Sequence, residues 1–399
     1  MDNTPHCVIG VDEVTIVLFP KATISDLREW MEQVRKVIGE FAYRTSMAVF
    51  FGELEPMINK KPAGCTDALT INEVPWYFAI GWNDHGPNMG IIVRFSAYAW
   101  AAYQAAFEEH FGISCNIADF MKLIQSSSYL ARISRIDIVA DYKNYGAELA
   151  PDTIYKGMKD ERLYVVDYRG RKSRRRYDGV MSNWEIQTFY IGSKKENSST
   201  RLRIYDKRAE QIASSGFRMN EAQASTSWTR FEVTYRNKYA HQISNDLVKI
   251  KSPVELAQYL ASKILDRYRF VDTLVDDFTV YTKILQEIAN NSEFAPLRSE
   301  RPENNSLRKS TTHLLKNSSL MQILSKVEAV WGYAAVRQYL EWVLKYYDEV
   351  YRYKAPGIYR LQQWIKLNKP SMQGQNIKDC FMEAMLEKEL RHSKKKRHK

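Results

Sequence analysis

A chain of 399 residues, of which 45% are apolar, is long enough for two or three domains with water-excluded cores. No run of about 18 apolar residues occurs, which excludes a membrane-spanning helix. The four widely spaced cysteines form no C-x-x-C pair, which excludes a zinc knuckle and predicts reduced thiols in the cytosol. The formal net charge of +11 favours a polyanionic partner, nucleic acid first, over a charge that only aids solubility.

Helices and strands alternate through the first 250 residues. Hydrophobic periodicity predicts helices at 27–38, 97–111, 118–125 and 207–215. Runs rich in β-branched and aromatic residues predict strands at 14–19, 76–82, 91–95, 131–141, 163–168, 184–191, 202–205 and 229–235. We therefore expect one domain over residues 1–250.

The pattern changes near residue 250. Ser252-Pro-Val-Glu255 is a capping box that predicts a helix start, and the polar, proline-containing residues 290–310 predict a linker. Further helices are predicted at 320–353, 358–367 and 377–390. We expect their aromatic residues to lie in a core rather than to stack on bases. Residues 251–390 thus form a helical C-terminal region, and residues 391–399 a basic tail that is either solvated or contacts DNA.

Acidic residues lie on two of the predicted strands. Side chains alternate along a strand, so Asp137 and Asp141 share one face at ~13 Å, too far apart to share one metal ion. On another strand Glu232 lies between Arg230 and Arg236. Mg²⁺ or Mn²⁺ takes oxygen ligands, and Mg²⁺ often takes only one or two protein carboxylates, so Asp137 with Glu232 would suffice. The alternative is a cross-strand ladder of salt bridges.

Cations surround one tyrosine. Alternation places Arg201, Arg203 and Lys207 on the same face as Tyr205. We expect this positive charge to lower the phenol pKa from about 10 and to favour a phenolate that attacks a phosphodiester. The alternatives are a surface tyrosine in a basic sheet, and Tyr190 as the nucleophile instead.

Basic residues also occur outside these strands. The expected DNA contacts are Arg171, Lys172, Arg174, Arg175 and Arg176 in a basic loop, with Arg203, Lys207, Arg230 and Arg236 in or beside the strands. The seven histidines form no H-x-H pair, which excludes a histidine-held metal of that kind. No phosphate-binding G-x-x-x-x-G-K-[ST] loop occurs, so duplex unwinding requires a separate helicase.

Four motifs occur in a fixed order. They are R-I-D-I-V-A-D-Y at 135–142, T-F-Y-I-G-S at 188–193, R-L-R-I-Y-D-K at 201–207 and W-T-R-F-E-V-T-Y-R at 228–236. Together they resemble the Rep_trans family, which comprises rolling-circle replication initiators of plasmids and phages and related relaxases of integrative conjugative elements. The resemblance spans residues 10–247. The chain departs from it at Ser193-Lys-Lys, where many members have Ser-Arg and then Ser, and it has no detectable N-terminal helix-turn-helix.

The resemblance implies a fold and an activity. The fold is α+β, with a large, mostly antiparallel curved sheet, flanking helices and here a helical C-terminal region; members are often homodimers. Tyr205 is the implied nucleophile, and Asp137 with Glu232 the implied ligands of Mg²⁺ or Mn²⁺. The expected protein is a cytoplasmic, mobile-element-encoded bacterial enzyme that nicks and rejoins origin DNA, duplex and single-stranded, together with a host helicase. The alternatives are a conjugative relaxase with the same chemistry and a non-catalytic origin-binding protein.

Overall fold

The computed structural model describes residues 4–72, 74–172, 177–182, 185–193, 198–290 and 320–354, with residues 294, 297, 314, 361, 362, 365 and 369. The chain divides into two compact units, Met1–Ser299 and Glu300–Lys399. No helix in the described parts of the chain is long and apolar enough to cross a bilayer. The predicted boundary at residue 250, between a catalytic domain and a helical C-terminal region, stays a prediction.

A ten-stranded sheet forms the centre of the first unit. Its strands are paired in the order β2-β3-β4-β5-β1-β6-β11-β10-β9-β8, and every pairing is antiparallel. Their bounds are β1 His6–Pro20, β2 Glu55–Pro56, β3 Asp67–Thr70, β4 Phe78–Trp82, β5 Ile91–Phe95, β6 Tyr129–Lys143, β8 Tyr177–Ser182, β9 Glu185–Ile191, β10 Thr200–Asp206 and β11 Trp228–Arg236. A smaller sheet pairs β7 (Leu163–Val166), β12 (Arg269–Asp272) and β13 (Asp277–Phe278).

Helices surround the large sheet. Their bounds are α1 Leu27–Arg44, α2 Met47–Phe51, α3 Ala97–Phe111, α4 Ile117–Leu123, α5 Pro151–Lys159, α6 Lys207–Ala213, α7 Met219–Ala224, α8 Lys238–Leu247, α9 Pro253–Leu265 and α10 Val280–Ala289. Short 3₁₀ turns occupy Pro87–Met89 and Gly146–Leu149. Ser96 caps α3, since its hydroxyl accepts a hydrogen bond from the amide of Ala99.

The two faces of the central strands differ in chemistry. Ile136, Ile138 and Ala140 of β6 are fully buried in the hydrophobic core. Two tyrosine hydroxyls on the same face fasten helices to it: Tyr142 donates to a carbonyl of α10 and Tyr235 to a carbonyl of α9. Because this face provides the core, the opposite face of β6, β11 and β10 is left to polar and charged side chains.

The predicted α+β fold around a large antiparallel sheet is confirmed. The predicted bounds of β5 and α3 match the structure, and those of the central strands differ from it by a few residues. The predicted strand at 14–19 is instead the second half of β1, which has a bulge between Val11 and Val14. The alternation rule missed the longer strand because Asp12 and Glu13 stand side by side in this bulge.

The second unit contains α11 (Leu320–Trp331), α12 (Tyr333–Tyr346), a π-helical turn at Tyr347–Tyr351 and α13 (Arg352–Lys354). The prediction that its aromatic residues lie in a core is wrong for five of the six. The exposed ones are Trp331, Tyr333, Trp342, Tyr346 and Tyr347, whereas Tyr339 is half-buried. Residues 300–399 hold 20 of the 58 Lys and Arg residues but only 10 of the 47 Asp and Glu residues, so most of the net charge belongs to this unit. The predicted linker, the helices at 358–367 and 377–390 and the tail fall largely or wholly outside the described residues.

Candidate active site

The strand register gathers the predicted site residues on the polar face of the sheet. Tyr205 on β10 pairs with Arg230 on β11, and Arg203 pairs with Glu232. On the other side of β11, Arg230 pairs with Asp141 of β6. Directly paired residues of antiparallel strands point to the same face, so three neighbouring strands contribute to one row of charged side chains.

Tyr205 lies at the centre of this row. Its side chain is buried, and its hydroxyl donates a hydrogen bond of 3.1 Å to Oε2 of Glu232. The guanidinium of Arg203 lies 3.8 Å from the centre of the Tyr205 ring and 3.6 Å from Oε1 of Glu232. A phenol, a carboxylate and a cation are therefore in mutual contact, with little access for water.

Burial changes the acidity of this phenol in an unexpected direction. Arg203 lowers the pKa of Tyr205 as predicted, and Arg230 lowers it too, but burial and the negative charge of Glu232 outweigh both and raise it well above its usual value. The prediction of a phenolate stabilised by its cationic neighbours is therefore wrong for the protein alone. The phenol needs a base, and the Glu232 carboxylate already accepts its hydrogen bond.

Lys207 reaches the site from the predicted helix, whose start at residue 207 is confirmed, and not by continuing the alternation of the strand. The strand β10 ends at Asp206, whose carboxylate caps α6 by accepting a hydrogen bond from the amide of Ala209. Lys207 is thus the first residue of a helix, and its ammonium lies 5.7 Å from the Tyr205 ring. It pairs with Glu210 at 2.8 Å. Burial, followed by the charge of Arg230, lowers the pKa of Lys207.

Asp137 and Glu232 form the more acidic side of the site. Asp137 pairs with Thr234, two residues from Glu232 on the neighbouring strand, which makes the two carboxylates diagonal neighbours. Both are buried. Burial raises the pKa of Asp137 to about 7 and, together with Asp12, raises that of Glu232. Arg135 holds both oxygens of Asp137, at 3.1 and 2.5 Å.

Asp141 and Arg230 form the other side. The guanidinium of Arg230 binds both oxygens of Asp141, at 2.6 and 2.7 Å, and donates a third bond to Asp12 at 2.6 Å. The Arg230 side chain is fully buried, its visible role is to bind two aspartates, and its contact with DNA stays a prediction. The alternation rule missed Asp12 because it lies in the bulge of β1.

A divalent cation is compatible with the acidic side. Within the described residues no group of three or more His, Cys, Asp or Glu side chains is placed to hold a metal ion. Asp137 and Glu232 nevertheless supply oxygen donors only, which suits a hard cation that keeps most of its water ligands. The negative charge of Glu232 also raises the pKa of Asp137, and a cation held by both carboxylates would offset their repulsion. The donor set therefore fits Mg²⁺ or Mn²⁺.

The other predicted DNA contacts differ in exposure. Arg171 and Lys172 are exposed at the surface of the first unit, where Arg171 pairs with Asp167 and Lys172 lies 4.0 Å from the Tyr164 ring. Arg236 is half-buried at the end of β11. Arg174, Arg175 and Arg176 lie outside the described residues. Unlike these residues, Arg203 belongs to the site itself, and its buried Nε has no hydrogen-bond partner in the described structure.

The alternative nucleophile, Tyr190, lies on the same face but in a different setting. It pairs with Arg203 across β9 and β10 and is only half-buried. The guanidinium of Arg201 lies 3.9 Å from its ring centre. No carboxylate among the described residues accepts a hydrogen bond from its hydroxyl, in contrast to Tyr205. The geometry favours Tyr205.

Comparison with known proteins identifies the sequence around this site. The model of the Rep_trans family, described as replication initiation factor, matches residues 131–340, more than half of the chain. Among curated proteins, none matches. A solved structure of a rolling circle replication initiator protein from Geobacillus stearothermophilus is similar over 71% of this chain and 97% of that chain, at 16% sequence identity and a TM-score of 0.47.

Proposed function

Because this chain belongs to the Rep_trans family of replication initiation factors, we propose that it starts rolling-circle replication by cutting one strand of origin DNA with Tyr205. The observation that supports this most directly is the 3.1 Å hydrogen bond from the Tyr205 hydroxyl to Glu232, in a buried site flanked by Arg203 and Lys207. A nucleophile, a base and cations for phosphate oxygens are thereby in one place.

The residues suggest how the reaction proceeds. The Tyr205 oxygen attacks phosphorus while its proton passes to Oε2 of Glu232, which already accepts the hydrogen bond of the phenol. The bond from phosphorus to the 3′ oxygen breaks, which leaves a 5′-phosphotyrosyl link and, after protonation, a free 3′-OH. Arg203 and Lys207 stabilise the charge that develops on the phosphoryl oxygens.

A divalent cation completes the proposal. Asp137 and Glu232 are the residues that would hold Mg²⁺ or Mn²⁺. Such an ion polarises the phosphodiester and orients it for attack when bound. Since the sequence has no phosphate-binding loop for nucleotide hydrolysis, strand separation would depend on a helicase.

The test is a covalent adduct. The protein is incubated with Mn²⁺ and supercoiled plasmid that contains the DNA flanking its own gene, and the DNA-linked peptide is mapped. We expect an adduct on Tyr205 that EDTA abolishes and that Tyr205→Phe does not form. Tyr190→Phe is the matched control and should retain the adduct. Nicking at full rate by Tyr205→Phe would refute the assignment, and bound but uncut DNA would favour a non-catalytic origin-binding protein.

A further inference from the structure

A stacked aromatic pair lies beside the site and has no part in the proposed chemistry. Phe217, in the loop between α6 and α7, stacks on Tyr98 of α3 with ring centres 4.5 Å apart and planes 7° from parallel. Phe217 remains 36% exposed. An aromatic face that is partly open to solvent beside a candidate nuclease site is the kind of surface on which nucleic acid bases stack.

One contact and the course of the chain place this pair at the edge of the charged row. The neighbouring residue Arg218 has its guanidinium 3.6 Å from Asp141 and 5.7 Å from the Phe217 ring centre. On the other side, β5 pairs with β1 as far as Val14, next to the bulge that holds Asp12. The helix α3 begins two residues after β5, so Tyr98 lies in its first turn at the same bulge.

The loop is held in a fixed position relative to the nucleophile. The buried Gln211 side chain accepts a hydrogen bond of 2.8 Å from the amide of Arg218 and donates one of 2.8 Å to Glu210. Glu210 in turn pairs with Lys207, beside Tyr205. A side chain at Gly216 would place its Cβ 2.4 Å from the Gln211 amide, so a larger residue there would displace the group that holds the loop. Phe217 is therefore preorganised rather than free to swing.

We propose that Phe217, supported by Tyr98 and Arg218, is a base-stacking subsite for the single-stranded DNA next to the scissile phosphate. This inference rests on the proposed nicking function and adds the position of the strand. The seven residues of α6 rise about 10 Å, and stacked nucleotides rise about 3.4 Å each. A base on Phe217 would thus lie within a few nucleotides of the phosphate at Tyr205. Arg218 supplies a positive charge for the backbone there.

The first test is kinetic. After the wild-type protein has been used to map the nick, Phe217→Ala is assayed on a single-stranded oligonucleotide that spans it. Stacking is worth about 1–3 kcal/mol per base, so we expect KM to rise roughly fivefold to 150-fold with kcat within about twofold. Phe217→Trp should restore KM. Phe111→Ala is the matched control, because Phe111 is also a half-exposed aromatic of the α3 region but lies at the far end of that helix.

The second test observes the base directly. In the Tyr205→Phe background, 2-aminopurine is placed in turn at each of the six positions on either side of the nick. We expect its fluorescence to be quenched at one or two neighbouring positions, and this quenching to disappear with Phe217→Ala but not with Phe111→Ala. A purely structural role of Phe217 would instead lower kcat and the unfolding temperature and leave no position-dependent quenching, which would overturn the subsite. Failure of the wild-type protein to nick would refute the proposed function itself.

Discussion

Asp137 and Asp141 lie four residues apart on one face of β6, yet their surroundings drive their pKa values in opposite directions. Both side chains are almost fully buried. Arg230 clamps both oxygens of Asp141 and lowers its pKa, whereas burial raises the pKa of Asp137 to about 7 even though Arg135 contacts it. The difference arises from the second carboxylate: Glu232 adds negative charge beside Asp137, and Arg230 adds positive charge beside Asp141.

The comparison separates two roles within one row of charges. With Arg218, whose guanidinium lies 3.6 Å from Asp141, the Asp141–Arg230–Asp12 side has two cations for two carboxylates, and the pKa of Asp141 is lowered. We call it the neutralised side, and it resembles a structural ion cluster. On the Asp137–Glu232 side, Arg135 contacts Asp137 and Arg203 contacts Glu232, but these cations do not offset the cost of burying the two carboxylates, whose pKa values are raised. We call it the unbalanced side. Perturbed pKa values of this kind concentrate where chemistry occurs. Substitutions on the two sides should accordingly affect different measurements.

The largest expected effect is on the reaction and comes from the unbalanced side. Glu232→Gln removes the acceptor of the Tyr205 proton and a metal ligand. Such contributions are worth several kcal/mol, so the nicking rate should fall by at least about 10³-fold. The free energy of unfolding should stay the same or increase, because one of two repelling buried carboxylates is gone. Rates from single-turnover assays and urea denaturation test both statements.

A control for this substitution lies elsewhere on the same sheet. Glu185 is the exposed first residue of β9, and Glu185→Gln should change neither the rate nor the stability measurably. A Glu232→Gln protein that nicks within tenfold of wild type would show that the Tyr205 proton goes elsewhere.

The sequence predicted the features of these two sides that depend on neighbouring residues, and missed those that depend on distant parts of the chain. Alternation along each strand grouped Asp137 with Asp141, Glu232 with Arg230, and Arg203 with Tyr205, because strand geometry alone decides that. The register that brings these groups onto one face of the sheet came only from the structure. Alternation could not reveal Asp12, because a bulge breaks the alternation and its partner Arg230 is 218 residues away. The alternation that grouped Lys207 with Tyr205 also ends at Asp206, which caps the predicted helix α6 at that point.

Electrostatics was harder to predict than position. Counting cations around Tyr205 predicted a lowered pKa, but the balance depends on how much water the fold excludes, and burial reversed the direction. In the same way, the many aromatic residues of the second unit predicted a hydrophobic core, but five of the six are exposed. Hydrophobic periodicity indicates only that residues share a face, and not what covers that face.

The second effect concerns stability and comes from the neutralised side. Arg230→Met leaves the buried Asp141 and the partly buried Asp12 without this partner, and breaking a buried pair in this way costs about 3–5 kcal/mol. Urea denaturation should detect the loss. The double variant Arg230→Met with Asp141→Leu should recover part of it, because an apolar pair replaces a lone charge.

Arg236→Met, on the same strand but half-buried, is the control and should cost less than about 1 kcal/mol. Equal losses for the two arginine variants would contradict the distinction.

The smallest effect is the most specific to the unbalanced side. Folded Asp137 keeps its proton up to pH about 7, whereas an unfolded aspartate loses it near 4. Without metal, stability should therefore fall as the pH rises from about 4 to about 7. Mn²⁺ binding requires the ionised carboxylate and releases the proton, so the Kd for Mn²⁺ should be about tenfold higher at pH 6 than at pH 8. Calorimetry in buffers of different ionisation enthalpy counts the protons released. Asp137→Asn should bind Mn²⁺ more weakly, and its Kd should depend less on pH. A wild-type Kd that is the same at pH 6 and pH 8 would show that Mn²⁺ binding does not release a proton from Asp137.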